Sequence, residues 1–226
     1  MCGRFALKNP KAIKASFGLE EMPDLPPRYN IAPSQDIAIV RFSPAGRHLS
    51  LAHWGLIPSW SKESDKSYST INARAETVDS KPSFRVSFRD HRCLIPADGF
   101  FEWETTTAGK QPHLIRRSDG APFAMAGLWS RWRGAAAGEP VESCTILTCP
   151  ANELVSRLHD RMPVIVPASR WDRWLDPATD PAALGDVLVA APADDMESIP
   201  VSRAVNSSAN DSPECVRPVD VQSSLW

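Results

Sequence analysis

The 226-residue sequence contains no apolar run close to the ~18 residues that a membrane-spanning helix needs. Its first residues also lack the basic, then apolar, then small-residue pattern of a secretory signal peptide. Internal repeats and low-complexity tracts are absent as well. These absences argue against a membrane protein or a repeat protein, and they predict a cytoplasmic chain with no membrane partner.

Cysteine and histidine are scarce, with five residues of each. An odd number of widely spread cysteines without a signal peptide does not suggest a disulfide framework, and it favours a reducing compartment. Cys144 and Cys149 lie five positions apart with no histidine nearby, which is not the spacing of a zinc site. We therefore expect no metal and no other cofactor.

Proline, in contrast, is abundant, with 21 residues. Because proline ends helices and is confined to the edges of sheets, the elements should be short and the loops numerous. Strand-like segments mostly follow one another directly instead of alternating with helices, as in IAIVRF (37–42) and HLSLAHWGLIP (48–58). This order predicts an α+β fold: a single domain with a strongly curved, mostly antiparallel, barrel-like sheet and short peripheral helices. We expect a monomer.

Helices are predicted at five places, of which the segment from Asn152 to His159 should form one or two turns. Asn9 is a candidate cap for a helix that starts at Pro10 and ends at Gly18. Phe84 and Phe88 share one face of a second helix, which Ser80 could cap. The segments at 169–176 and 181–189 are predicted to form two more.

The net charge of −2 conceals an uneven distribution. Residues 1–133 contain 19 Lys and Arg against 13 Asp and Glu, whereas residues 134–226 contain 6 against 14. A basic first part favours an anionic partner, although random surface variation explains the same numbers.

Cys2 is the first candidate for chemistry. If Met1 is removed, Cys2 carries a free α-amine and a thiol on adjacent carbons, a combination that no other natural residue offers. The alternative is that Cys2 is simply a small buried apolar residue near the terminus.

Two polar motifs follow. In INARAET (71–77), Asn72 offers a hydrogen-bond donor and an acceptor, and Arg74 offers a fork for a phosphate; an ordinary loop is the alternative. In ADGFFEWE (97–104), strand alternation places Glu102 on the face opposite to Phe101 and Trp103. Glu102 is either a solvent-facing carboxylate or, beneath apolar groups, a proton donor with a raised pKa.

His159 and Trp60 complete the candidates. His159 lies at a helix–strand corner next to Arg161, where a structural and a catalytic role are both open. Trp60, in WGLIPSW, is either a core aromatic or a surface on which bases stack.

Seven motifs occur in one order, and together they resemble the SOS response-associated peptidase (SRAP) family. They are CGRF (2–5), RYNIAPSQ (28–35), WGLIPSW (54–60), INARAET (71–77), ADGFFEW (97–103), LHDRMPVIV (158–166) and PVSRAVN (200–206). The resemblance implies a domain over 1–206, with the irregular C-terminal tail 207–226 outside it.

The resemblance also implies a function. Members of that family bind single-stranded DNA and link their N-terminal cysteine covalently to abasic sites; they have also been proposed to be peptidases that remove their own initiator methionine. By motif, the implied catalytic residues are Cys2 as nucleophile with Asn72, Glu102 and His159. The implied DNA contacts are Arg4, Arg74 and Arg161 for phosphates and Trp60 and Trp103 for bases.

The aminothiol of Cys2 suits this chemistry. An amine attacks the aldehyde of an opened abasic sugar to give an imine, and the thiol then closes a thiazolidine ring that prevents strand cleavage by β-elimination. Opening the sugar needs an acid or base, for which Glu102 is the candidate. A cysteine peptidase that uses Cys2, or a plain single-stranded DNA binding module, are the competing hypotheses.

Overall fold

The structure, a computed structural model, describes residues 2–62, 70–133 and 139–220. The strands are β1 (Phe5–Leu7), β2 (Arg28–Ile31), β3 (Asp36–Ser43), β4 (Gly46–Trp54), β5 (Asn72–Arg74), β6 (Arg92–Ala97), β7 (Gly99–Thr106), β8 (Gly109–Arg117), β9 (Phe123–Trp132), β10 (Val141–Pro150), β11 (Arg161–Pro163), β12 (Ile165–Val166) and β13 (Met196–Pro200). The α-helices are α1 (Pro10–Ser16), α2 (Arg85–Asp90), α3 (Glu153–Ser156) and α4 (Trp171–Leu175).

Five strands close into a barrel. Around the ring, β4 pairs with β3, β3 with β6, β6 with β9, β9 with β10, and β10 returns to β4. Every pair is antiparallel except the last, in which Ser143 and Cys144 run parallel to His53 and Trp54. The predicted α+β class with a strongly curved, mostly antiparallel sheet and short helices is therefore confirmed.

The segment 161–166 fills the place where β9 and β10 diverge. These two strands pair as far as Ile146 and Gly127, after which β11 pairs with β10 and β12 with β9. Val164 joins both sides, because its N–H donates to Leu147 O and its carbonyl accepts from Ala126 N–H. This insertion holds the preceding residues, His159 and Asp160, at the end of β10.

A second sheet, in the order β13-β8-β7-β1-β2, is antiparallel throughout. It carries Glu102 on its central strand β7. Gly99 is the first residue of that strand. A side chain does not fit at this position, because a Cβ would lie 2.7 Å from Leu114 Cδ1 and 2.9 Å from the Ile115 carbonyl oxygen. Both faces are covered: one packs on the main core and the other on a small cluster that includes Phe101, Val205 and Cys215.

Asn30 ties the C-terminal segment to this sheet. Its side chain is fully buried, and Nδ2 donates to the carbonyl oxygens of Ser207 and Asn210, at 2.9 and 2.7 Å. Residues up to 220 continue along the sheet, where Val219 N–H donates to Pro200 O. The division of the chain at Asn206 stays a prediction.

Three local predictions were wrong. Ser80 does not cap the second helix, because α2 begins only at Arg85 without a side-chain cap and the Ser80 hydroxyl donates to Thr77 O instead. The Asn9 side chain makes no capping bond; instead the Asn9 N–H donates to Asp98 Oδ2 at 3.0 Å. The segment 181–189 forms only a 3₁₀ turn over Pro181–Leu184, because Gly185 disfavours a helix and the chain bends to bury Leu184 and Val187. Within the described residues, no helix is long and apolar enough to cross a membrane.

Candidate active site

Cys2 lies directly before β1 and is completely buried within the main core. Strand β1 is held between β2 and β7, and Asp98 fixes its end by accepting the backbone N–H of Lys8 at 2.5 Å. Burial raises the pKa of the Cys2 thiol well above its usual range, and the nearby carboxylate of Glu102 acts in the same direction. The thiol is therefore protonated at neutral pH.

Asn72 contacts Cys2 directly. Its Nδ2 donates to the Cys2 carbonyl oxygen at 2.9 Å. The sequence suggested an irregular loop here, but residues 72–74 form strand β5, which runs parallel to Ile146–Thr148 of β10. A tertiary pairing of this kind has no local sequence signal, because the partner strand lies about 70 residues later in the chain.

Glu102 is the buried alternative of the two that the sequence left open. Its side chain is 4% exposed, whereas Glu104, two residues further on the same face, reaches solvent. Burial raises the pKa of Glu102 to about 7, and the positive charge of the amino terminus partly opposes this rise. A carboxyl group with this pKa exchanges protons at neutral pH, as general acid–base catalysis requires.

His159 belongs to the same cluster. The negative charge of its neighbour Asp160 raises the pKa of Glu102, and the charge of the amino terminus lowers the pKa of both Glu102 and His159. His159 therefore lies in the neighbourhood of Glu102. The Arg161 N–H donates to His159 Nδ1 at 2.9 Å, and Asp160 Oδ1 lies 2.8 Å from the same nitrogen. A backbone N–H donates and a carboxylate accepts, so the two contacts favour different protonation states of Nδ1. Burial lowers the pKa of His159, which favours the neutral imidazole over the imidazolium.

The three predicted phosphate contacts differ in their surroundings. Arg74 is exposed on β5. Arg4 is half-buried and donates from Nη1 to Asn30 Oδ1 at 2.8 Å and to the Val205 carbonyl oxygen at 2.9 Å, so it also holds three motifs together. Arg161 is bound to Glu76, as described below. Their roles in DNA binding stay predictions.

The two predicted base contacts are also accessible to different degrees. Trp60 is 60% exposed, which excludes the core alternative, and its Nε1 donates to Pro82 O at 3.3 Å. Trp103 is half-buried on the opposite face of β7 from Glu102, and its Nε1 donates to Asn206 Oδ1 at 2.8 Å. Their contacts with bases remain predictions.

Two contacts connect the Trp60 loop to other parts of the fold. Trp132 Nε1 donates to Ser61 O at 2.8 Å, which brings the end of β9 beside this loop, and Trp60 Nε1 donates to Pro82 O. Trp60 and the exposed cations within three residues of Ser61, Pro82 or Trp132 are here called the tryptophan surface; these cations are Lys62, Lys81, Arg85, Arg131 and Arg133. They come from three separate segments that these two contacts join, and the sequence analysis missed that connection.

No group of three or more His, Cys, Asp or Glu side chains in ranges 2–62, 70–133 and 139–220 is arranged to hold a metal ion.

Comparison with known proteins gives concordant results. The family model described as SOS response associated peptidase (SRAP) matches residues 1–208. The abasic site processing protein YoqW of Bacillus subtilis is 42% identical over 224 residues, which cover 96% of this chain and 99% of that protein. The abasic site processing protein HMCES of Gallus gallus is 37% identical over 191 residues, covering 74% of this chain and 56% of that protein.

Solved structures show the same architecture. The crystal structure of a protein from Bacteroides thetaiotaomicron superposes with a TM-score of 0.85 at 27% sequence identity, and the match covers 96% of this chain and 100% of that chain.

Proposed function

The chain belongs to the SOS response associated peptidase family, and from that premise we propose that it processes abasic sites in single-stranded DNA by a covalent link through Cys2. Relatives named abasic site processing proteins match nearly the whole chain. The observation that carries the proposal is the cluster itself: a buried cysteine at position 2, an amide bonded to its carbonyl, and a carboxyl group with a pKa of about 7 beside it.

The reaction starts at the amine. With Met1 removed, the α-amine of Cys2 attacks the aldehyde carbon of the opened abasic sugar, and loss of one water gives an imine. An α-amine has a reference pKa of about 7.7–8.0, so a useful fraction is unprotonated at neutral pH. Glu102 donates a proton to the ring oxygen as the sugar opens and regains one from the hemiacetal hydroxyl. It then donates a proton to the departing water and regains one from the attached amine.

The thiol acts second. Its sulfur adds to the imine carbon, the S–H proton moves to the nitrogen, and a five-membered thiazolidine closes. The protonated state of the buried thiol fits this order, because the amine rather than a thiolate makes the first bond. The imine is the electron sink for β-elimination, so ring closure preserves the DNA strand.

Exposed side chains support the DNA-binding part of the proposal. Arg74 and the cations of the tryptophan surface are exposed and available to phosphates, and the exposed ring of Trp60 offers a stacking face for an unpaired base. His159, whose lowered pKa favours the neutral imidazole, is suited to exchange a hydrogen bond with the sugar or its phosphate.

A denaturing gel with an abasic single-stranded oligonucleotide tests the proposal. We expect a band of protein and DNA that survives denaturation, with Cys2 as the modified residue by mass spectrometry. Cys2→Ser retains the amine but cannot form the thiazolidine, so it should give a transient adduct and cut DNA. An equally stable adduct with Cys2→Ser contradicts the proposal. Repeated turnover on peptides without an adduct would instead favour a cysteine peptidase, and binding that is unchanged by the loss of Cys2 would favour a simple binding module.

A further inference from the structure

Arg161, a predicted phosphate contact, holds the carboxylate of Glu76. Its Nη1 and Nη2 donate to the two carboxylate oxygens of Glu76, the second at 2.8 Å, and Nη2 also donates to the Thr148 carbonyl oxygen at 2.6 Å. A two-bond fork of this kind is the geometry that a guanidinium offers to phosphate. Glu76 and a DNA phosphate therefore compete for the same N–H groups.

Exposure decides which partner of the pair can move. The Arg161 side chain is 12% exposed, and the Thr148 carbonyl oxygen anchors it from behind. The Glu76 side chain is 45% exposed and lies on the 3₁₀ turn Ala75–Thr77 at the surface. An approaching phosphate can thus displace Glu76 into solvent, whereas Arg161 has to stay in place.

Charge reinforces this competition. The hydrogen bond from Arg161 lowers the pKa of Glu76, and the charges of Arg161 and Arg74 add to the effect, so Glu76 is ionised at neutral pH. The negative charge of Asp160 also raises the pKa of Arg161. The charges of Arg74 and Arg161 are balanced by those of Glu76 and Asp160, so this part of the site carries no net positive charge. From the motifs alone, only the arginines were expected to matter for DNA binding.

We propose that Glu76 is a specificity determinant, which weakens the binding of undamaged strands by occupying the Arg161 fork until a phosphate displaces it. The inference rests on the proposed function. Undamaged DNA must displace Glu76 with non-covalent contacts alone, and it dissociates readily. A strand with an abasic site also has to displace Glu76, but the bond to Cys2 then retains it. Selectivity for the lesion therefore comes partly from a carboxylate that opposes all DNA.

Glu76→Gln tests the inference, since glutamine keeps the size of the side chain and loses the charge. We expect an undamaged single-stranded oligonucleotide to bind about 3- to 10-fold more tightly, with a log–log salt slope steeper by up to about 0.7, the value for one additional phosphate contact on single-stranded DNA. Asp79→Asn is the matched control. It makes the same charge change at an exposed carboxylate nearby, and no ion pair links Asp79 to an arginine within the described residues.

A double variant shows whether the effect passes through Arg161. In an Arg161→Gln background, Glu76→Gln should no longer tighten binding by more than Asp79→Asn does. Glu76→Asp retains the charge but is too short for the two-bond fork, and it should bind with an affinity between wild type and Glu76→Gln. Thermal unfolding shows whether Glu76→Gln folds. If it does not, Glu76→Asp replaces it in the test.

Three results would overturn the inference: equal or weaker binding by folded Glu76→Gln, a gain no larger than that of Asp79→Asn, or a gain that persists without Arg161. Crosslinking to an abasic oligonucleotide is measured in parallel. A wild-type protein that forms the crosslink while Glu76→Gln binds undamaged DNA no more tightly refutes only the role of Glu76. A wild-type protein that forms no crosslink refutes the proposed function itself.

Discussion

The side-chain amide of Asn72 donates from Nδ2 to the backbone carbonyl oxygen of Cys2 at 2.9 Å, so a residue 70 positions away fixes the orientation of Cys2. The other end of the same amide, Oδ1, is buried and accepts no hydrogen bond within the described residues. A buried acceptor without a donor is costly, and it is the kind of group that a ligand hydroxyl or amine satisfies. In the proposed reaction, Asn72 orients Cys2 with one atom and offers the other to the reacting groups.

Asn72→Ala should slow crosslinking. The variant loses the bond to Cys2 and the free acceptor, and two hydrogen bonds at about 0.5–1.5 kcal/mol each correspond to a loss of roughly tenfold to a hundredfold in rate. Single-turnover crosslinking at saturating DNA measures it. Affinity for undamaged DNA should change little, and a variant that loses only affinity would contradict the role given to Asn72.

Glu102→Gln should change the pH dependence of crosslinking. In the wild type, the rate should rise as the α-amine loses its proton and fall above about pH 7 as Glu102 ionises and stops donating. Glutamine cannot exchange a proton, so the falling limb should disappear and the rate near pH 7 should drop by about 10²–10⁴-fold. Identical profiles from about pH 5 to 8 would assign Glu102 a structural role.

Glu102→Gln should also change how the stability of the folded protein depends on pH. Between the unfolded pKa of about 4.3 and the folded pKa, the folded state holds a proton that the unfolded state has released, so stability falls as pH rises. Because the folded pKa is about 7, the loss amounts to about 4 kcal/mol at most, at ~1.4 kcal/mol per unit. Glu102→Gln should therefore gain stability relative to wild type between about pH 4 and pH 8, as urea midpoints would show. A difference that does not vary with pH would argue against a raised pKa.

Charge reversal on the tryptophan surface should weaken DNA binding without affecting the chemistry. Lys81→Glu with Arg85→Glu should lower affinity for a long single-stranded oligonucleotide and reduce the log–log salt slope by about 0.7 for each phosphate that is no longer bound. Lys11→Glu with Lys14→Glu, at two exposed cations of α1, is the matched control. If the control pair weakens binding as much, only net charge matters and the surface has no specific role.

Local patterns predicted much of the fold. Hairpin signals and alternation identified most strands, and alternation placed Glu102 on the face opposite to Phe101. The closure of the barrel was not predictable in detail, because the parallel β4–β10 contact depends on packing between distant segments. For the same reason, strand β5 was interpreted as a loop.

The candidate site was predictable only in part. The motifs supplied Cys2, Asn72, Glu102 and His159, and the structure brings them together. They did not reveal that Glu76 binds Arg161 or that Trp60 binds Pro82, because those contacts join segments that the sequence keeps apart. An exposed carboxylate four residues after Asn72 has no pattern that distinguishes it from other surface residues.

The parallel contact that closes the barrel has a consequence for synthesis of the protein. Ser143 pairs with His53, which leaves the ribosome 90 residues earlier. Strands β3 and β4 can form their hairpin early, but β4 keeps an open edge until β10 has emerged, and an open edge invites pairing with other chains. The nascent chain is therefore most vulnerable to aggregation during translation of the middle of its sequence, and long-range closure of this kind is slow. A chaperone that binds extended segments would act in that interval.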